Sequence, residues 1–314
     1  MTLSPKANLL RALDHAPPDH VPYAGEGAWR LLDYAGRRPP LAGLDEWGVT
    51  WAPLPTSYAV GSEEPAYSYP TGHPADTAAE LAADGFPEPP GRERFAGLLE
   101  GIDPGRVLAI GQHPAGLLDR FITLLGMQGA MGALMGEPAA AQAALSRIAD
   151  YHVEVAHRYL AAGAEAGWLA DDYAGTSGPY LRPQLWQSMI LPHLRRVFEV
   201  YRDAGAPIFF HTCGDAQAHV ADLLDAGVTA LNMQSSACDL AVLKARFGRR
   251  IVFFGGVASE VMQRGRPEDI REAVRLAVEM LGDDGGLVLS PDQPLAFPAE
   301  NITAFEAAAL EYGA

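Results

Sequence analysis

The chain has 314 residues and a mass of 33.5 kDa, with 48% hydrophobic and 20% charged residues. Those proportions are globular and argue against disorder and coiled coil. A net charge of −16 and a pI near 4.9 set the chain against nucleic acid and anionic membrane, because both would repel it. They also disfavour a polyanionic substrate unless the few arginines gather in one cleft.

The opening Met1-Thr2-Leu3-Ser4-Pro5-Lys6 lacks the apolar run of a signal peptide. Val21-Pro22-Tyr23 reads as a first short strand, followed by Glu26, Trp29, Arg30, Arg37 and Arg38. Arginines there would clamp a carboxylate or, alternatively, line a solvated helix face. Pro17-Pro18, Pro39-Pro40 and Pro89-Pro90 punctuate the first ~100 residues, and 52–91 reads as an irregular excursion of the kind used for lids.

Regular alternation starts near residue 105. Val107–Ile110 predicts a strand, and 115–164 predicts helix, broken near Gly136-Glu137-Pro138. Its uncharged stretch, Phe121–Gly136, falls short of a membrane span. Gly167-Trp168-Leu169-Ala170 is a strand that runs into Asp171-Asp172, and 183–204 has helical periodicity. Pro207–Phe210 is a strand ending at His211, with a helix over 216–226 that Gly227 stops. Strands at Thr229–Met233, Ile251–Phe254 and Leu287–Leu289 alternate with helices at 239–247, 267–281 and 299–312. Short apolar strands, each followed by a helix, build a parallel sheet buried on both faces. The fold class is therefore α/β, a (β/α)8 TIM barrel with an irregular N-terminal extension, expected as a single domain over 1–314. No GxGxxG follows a strand, so nothing supports dinucleotide binding.

Polar residues collect at the C-terminal ends of these strands, where a barrel has its active site. They are Asp171 and Asp172, then His211, Cys213 and Asp215, then Gln234, then Asp292 and Gln293. A His and a Cys two apart on an extended segment point the same way, so His211 and Cys213 can reach one metal, and nitrogen plus thiolate suits zinc. The alternative is a buried histidine beside a structural cysteine. Asp171 and Asp172 must diverge, so one of them at most is catalytic, and a helix cap on a solvated loop is the other use for the pair. Cys238 reads as a small buried residue, with metal ligation as the alternative. With no disulfide framework and no CxxC motif, the two cysteines Cys213 and Cys238 point to a reducing, cytoplasmic setting.

Several segments, in order, resemble the uroporphyrinogen decarboxylase superfamily. They are Leu10–Leu13 through Pro18-Asp19-His20-Val21-Pro22, Asp45-Glu46-Trp47-Gly48, Asp171-Asp172 and Gly178-Pro179 through Trp186. Leu118-Asp119-Arg120 through Leu125-Gly126, His211-Thr212-Cys213-Gly214-Asp215, Asn232-Met233-Gln234, Gly255-Gly256-Val257 and Glu300-Asn301-Ile302 complete the set. The resemblance implies a (β/α)8 barrel and one of two activities: cofactor-free decarboxylation of a porphyrinogen, or zinc-dependent methyl transfer involving a methyl ether or methylated corrinoid protein and a cobalt or thiol acceptor. The Met-Arg-Gln core of the decarboxylase branch is missing from Ala28–Pro40, which favours the methyltransferase branch. That branch implies Zn²⁺ on His211, Cys213 and a third ligand after the last strand. A cysteine is usual there; this chain has Asp292 in Ser290-Pro291-Asp292-Gln293, with Gln293 and Cys238 as weaker substitutes. Asp171 or Asp172 would orient substrate or carry a proton, and Asp215 would support a ligand. Glu26, Trp29, Trp47, Tyr173 and Gln234 would form the substrate pocket, with Trp51 as a further wall. No D-x-H-x-x-G occurs, so a corrinoid would come on a partner protein. The remaining partners would be a small-molecule methyl donor or acceptor, with no nucleic acid and no membrane. A metal-free lyase using Arg37 and a non-catalytic ligand-binding barrel are the rival readings.

Overall fold

A computed structural model describes residues 2–36, 40–54, 68–83, 86–113, 115–293 and 295–314. Arg37, Arg38 and much of the 52–91 excursion lie outside the described residues. Helix α1 (Pro5–Leu13) opens the chain, with Ser4 Oγ accepting the Ala7 amide as its N-cap and Pro5 in the first turn. Next come β1 (Trp29–Leu32), β2 (Gly43–Leu44), β3 (Thr50–Pro53), β4 (Ser68–Gly72) and α2 (Ala78–Ala83). Then follow β5 (Leu108–Gln112), α3 (Leu117–Gly136), α4 (Pro138–Ala161), β6 (Ala166–Ala170), and the short pair β7 (Ala174–Gly175) and β8 (Gly178–Pro179). Helices α5 (Pro183–Met189) and α6 (Leu191–Asp203) lead to β9 (Ile208–Thr212), α7 (Val220–Ala226), β10 (Ala230–Met233) and α8 (Leu240–Phe247). The chain ends with β11 (Val252–Val257), α9 (Ser259–Arg264), α10 (Pro267–Leu281), β12 (Leu287–Pro291) and α11 (Ala299–Tyr312).

Seven strands form one parallel sheet in the order β1-β5-β6-β9-β10-β11-β12. The eighth stave is the Pro22–Ala24 segment. Tyr23 bridges Leu289 in parallel, the Ala24 amide donates to Leu289 O at 2.8 Å, and the Leu289 amide donates to Pro22 O at 2.7 Å. The sheet thus curls into the expected barrel. Side chains alternate across it with period two. Leu108, Ile110, Ala166, Trp168, Phe209, Ala230, Val252, Phe254 and Val288 fill the interior, and Leu9, Ala12 and Leu13 of α1 close its lower end. The intervening residues, such as Leu169, Phe210, Leu231, Phe253 and Leu289, join the larger core beneath the outer helices.

Three expectations are corrected. Trp29–Leu32 is a strand paired with β5, so Trp29 and Arg30 do not sit on a helix face. The 183–204 helix is two helices: Pro192 lacks the amide that would continue the ladder, and the chain breaks at Ile190. The extension is partly regular, with β2-β3-β4 forming an antiparallel sheet. Among the described residues, no helix is long and apolar enough to cross a membrane.

Candidate functional site

The same alternation decides which residues reach the barrel mouth. Phe209 points inward, so His211 and Cys213 follow it. Trp168 points inward, so Asp172 does too, while Asp171 turns outward with Leu169. One ligand atom each from Asp172, His211 and Cys213 lies within 4.8 Å of the others. His211 Nε2 is 3.2 Å from Cys213 Sγ, and the Cys213 amide donates to Asp172 Oδ1 at 2.7 Å.

Neighbouring strands set the chemistry of this group. Asn232 stands beside His211 in the β9–β10 register. Its Nδ2 donates to Phe254 O at 2.5 Å, so its Oδ1 is left to face His211 Nδ1, also at 2.5 Å. An amide oxygen only accepts, so Nδ1 carries the proton and the Nε2 lone pair faces Cys213. Gln293 Nε2 donates to Cys213 Sγ at 3.1 Å, as it would to a thiolate. Without a cation, burial and the Asp172 carboxylate push the Cys213 thiol well up. An imidazole lone pair, a sulfur and a carboxylate converging at these distances fit a zinc-type ion, which would reverse that shift.

Asp171 has a different task. It is fully buried and caps α3: Oδ2 accepts the Leu117 and Leu118 amides at 2.9 and 3.1 Å, and Oδ1 accepts the Asp119 amide at 2.8 Å. Gly116 permits this, since a Cβ there would lie 2.4 Å from Asp171 Cβ. Asp119 then joins the mouth, with Oδ2 accepting the Asp172 amide at 3.1 Å. Burial first, then the charges of Asp171 and Asp172, hold Asp119 well above the usual carboxylate range. Burial likewise raises Asp171, to about 7, against the pull of its helix amides.

The third metal ligand expected from sequence, Asp292, is occupied elsewhere. Its Oδ2 accepts from Ser235 N and Oγ, and its Oδ1 accepts from Ser259 N, all at 2.9 Å. It pins the loops after β10, β11 and β12 together and so places Gln293 over Cys213. Among the described residues, the group able to hold a metal contains Asp172 and not Asp292. Gln234 Oε1 accepts the Gly214 amide at 2.9 Å, and Cys238 Sγ donates to Gly214 O at 3.2 Å; both hold the loop that follows β9. Gly214 has φ +70°, and a Cβ there would meet Ala174 O at 2.2 Å, so only glycine fits beneath the β7–β8 hairpin. Asp215 accepts from Gln217 Nε2 at 2.8 Å. Tyr173 is buried and stacks on Phe210, with ring centroids 5.7 Å apart.

Three expected pocket residues, Trp47, Trp51 and Glu26, lie elsewhere. Trp47 is buried under the Arg120 guanidinium, 4.3 Å from its ring centre, and packs on Tyr151. Trp51 Nε1 donates to Asp45 Oδ2 at 2.9 Å in the same subsite. Glu26 pairs with His20 at 2.7 Å. Trp29 does line a cavity of about 320 Å³ at the mouth, together with Trp168, Phe254, Phe297, Asn232 and Gln293. The last two residues are those that bond His211 and Cys213, so cavity and candidate metal site are contiguous. Asp119 and Asn232 belong to segments that carry the family resemblance but were given no site role from sequence, nor was Tyr180, which lies near Asp172, Asp119 and Cys213. The alternation of β10 would have found Asn232; Asp119 is reached only through a contact across 53 positions.

The chain also shares its fold with solved proteins. A methyltransferase from Methanosarcina mazei superposes with a TM-score of 0.76 at 19% identity, over 99% of this chain and 100% of that one. A glycosylated endo-β-1,4-xylanase of glycoside hydrolase family 10 from Gloeophyllum trabeum overlaps with a TM-score of 0.40 at 14% identity, over 65% of this chain and 75% of that one, too loosely to bear on this chain. No curated protein shows significant sequence similarity to it. The family profile of uroporphyrinogen decarboxylase (URO-D) matches residues 114–312, the stretch that carries Asp119, Asp172, His211, Cys213 and Asn232. The chain belongs to the uroporphyrinogen decarboxylase family.

Proposed function

We propose that the protein is a zinc-dependent methyltransferase of this family. The observation that carries the reading is the convergence of Asp172, His211 and Cys213 at the barrel mouth, with the His211 tautomer fixed by Asn232. Bound there, Zn²⁺ supplies Lewis acidity toward a thiol or an ether oxygen. The chain's own residues do the rest. Gln293 donates a hydrogen bond to Cys213 Sγ and stabilises its anion. Asp119, whose carboxyl is raised by burial and two neighbouring acids, is placed to hold or move a proton at Oδ1, since Oδ2 accepts the Asp172 amide. Trp29, Trp168 and Phe254 exclude water from the floor of the cavity. The methyl group would pass between a small molecule and a thiol or cobalt acceptor, and a corrinoid would arrive on a partner protein.

The decarboxylase alternative is disfavoured by the cavity wall, which among the described residues has no Lys, Arg or His to bind carboxylates. Metal content tests the proposal. About one zinc per chain is expected in the wild type, as for a single site of this kind. It should be lost in Cys213→Ser and Asp172→Asn and kept in Asp292→Asn. No zinc in the wild type, even after zinc is supplied, would overturn the reading.

A further inference from the structure

We propose that the cavity beside the metal site selects a methyl-bearing onium cation, a quaternary ammonium or sulfonium, as its ligand. Its floor and walls are aromatic, with Trp29, Phe254, Phe297 and Phe305 all lining it. Two ionisable side chains face it among the described residues, and both are acids: Asp292 and Glu306. Asp292 has its oxygens satisfied by three hydrogen-bond donors. Among the described residues, Glu306 has none, and no cation pairs with it. Its carboxylate lies along the wall over Gly25, where a Cβ would stand 2.4 Å from Oε1. Any side chain at position 25 would displace it.

An unpaired carboxylate in an apolar, aromatic cavity leaves a negative potential with no donor to answer it. An organic anion would be repelled and would find no counter-charge. A neutral hydrocarbon would fill the space and leave Glu306 unmatched. A cation sheathed in methyl groups satisfies both parts of the wall: ring faces attract its charge, its methyls pack on them, and Glu306 supplies the formal counter-ion. The overall charge of −16 favours the same sign of ligand. The inference rests on the methyl-transfer reading only in placing the ligand's methyl groups next to the metal site; the charge preference stands on the cavity itself.

Calorimetric titration of the full chain with choline and with its neutral near-isostere 3,3-dimethylbutan-1-ol tests it. Choline should bind about 10-fold more tightly, the effect of one cation–aromatic contact or a screened ion pair. Glu306→Gln should lower the ratio, leaving only the part that the aromatic rings supply, while the neutral ligand's affinity and the zinc content stay as in the wild type. Equal binding of the two ligands, tighter binding of an organic sulfonate of similar size, or an unchanged ratio in Glu306→Gln would overturn the inference. The titration is run on both zinc-loaded and chelator-treated protein. A choline preference without any zinc binding would uphold the cavity and sink the metal reading. Zinc binding without a choline preference would do the reverse.

Discussion

Asp171 and Asp172 share a peptide bond and have separate uses. The strand alternation sends Asp171 out to the first three amides of α3 and Asp172 in toward His211 and Cys213. Substitution should therefore separate their effects. Asp171→Ala removes a cap and leaves three buried amides without an acceptor. It should cost about 1–2 kcal/mol of stability or slightly more, with zinc stoichiometry unchanged. Asp172→Asn should abolish zinc binding and leave the melting temperature of the metal-free protein close to wild type. Denaturant unfolding and metal analysis of the two variants decide the matter, and parallel losses in both would refute the division. The two side chains were expected from sequence to diverge, and they do. Which one faces the mouth needed the inward position of Trp168, because an apolar strand buried on both faces hides its own polarity.

At the scale of elements, the outer helices hold the mouth loops in place. His219, just before α7, is fully buried, stacks on Trp186 of α5 at 4.4 Å, and has no hydrogen-bond partner on either ring nitrogen among the described residues. Burial holds it neutral and lowers its pKa to about 4. The unfolded chain titrates near 6.5, so between pH 4 and 6.5 it binds the proton that the folded chain refuses. This contribution to stability is complete above about pH 6.5 and is lost as pH falls through about 4. Its slope approaches 1.4 kcal/mol per pH unit, roughly the value for one proton. His219→Phe keeps the stacking and removes the titration. Its stability profile should be flatter by up to that slope in this window and no lower than wild type at pH 8. Chemical denaturation at a series of pH values checks this, and an unchanged slope would exclude His219 as a source. His152 is also fully buried, its pKa lowered to about 3 by burial, and the variant retains its pH dependence.

For the whole molecule, the alternation of short apolar strands with helices made the barrel legible, because a strand buried on both faces leaves a run of apolar residues in sequence. The site was half legible for the same reason: His211 and Cys213 sit on one strand end, and their spacing alone brings them together. Asp292 sits at the strand end where the sequence pattern expects a ligand, and nothing local reveals that Ser235 and Ser259 take both its oxygens. Trp29–Leu32 was obscured by Arg30, an outward polar residue in a four-residue strand. What escaped sequence reading was long-range partnership.

The barrel also separates stability from function along its axis. Its lower end is closed by α1, where Leu9 is fully buried against interior strand residues, while every candidate metal ligand stands at the upper end. Leu9→Ala should open a cavity at the closed end and cost about 2–5 kcal/mol. The melting temperature should drop by roughly 2–4 °C per kcal/mol for a chain of this size or slightly smaller. Below the transition, zinc content and the choline preference should match wild type, because the aromatic layer of Trp29, Trp168, Phe209 and Phe254 lies between the lesion and the mouth. If zinc affinity fell in step with stability, the barrel core would be transmitting the lesion to the mouth, and the two ends could not be treated as independent.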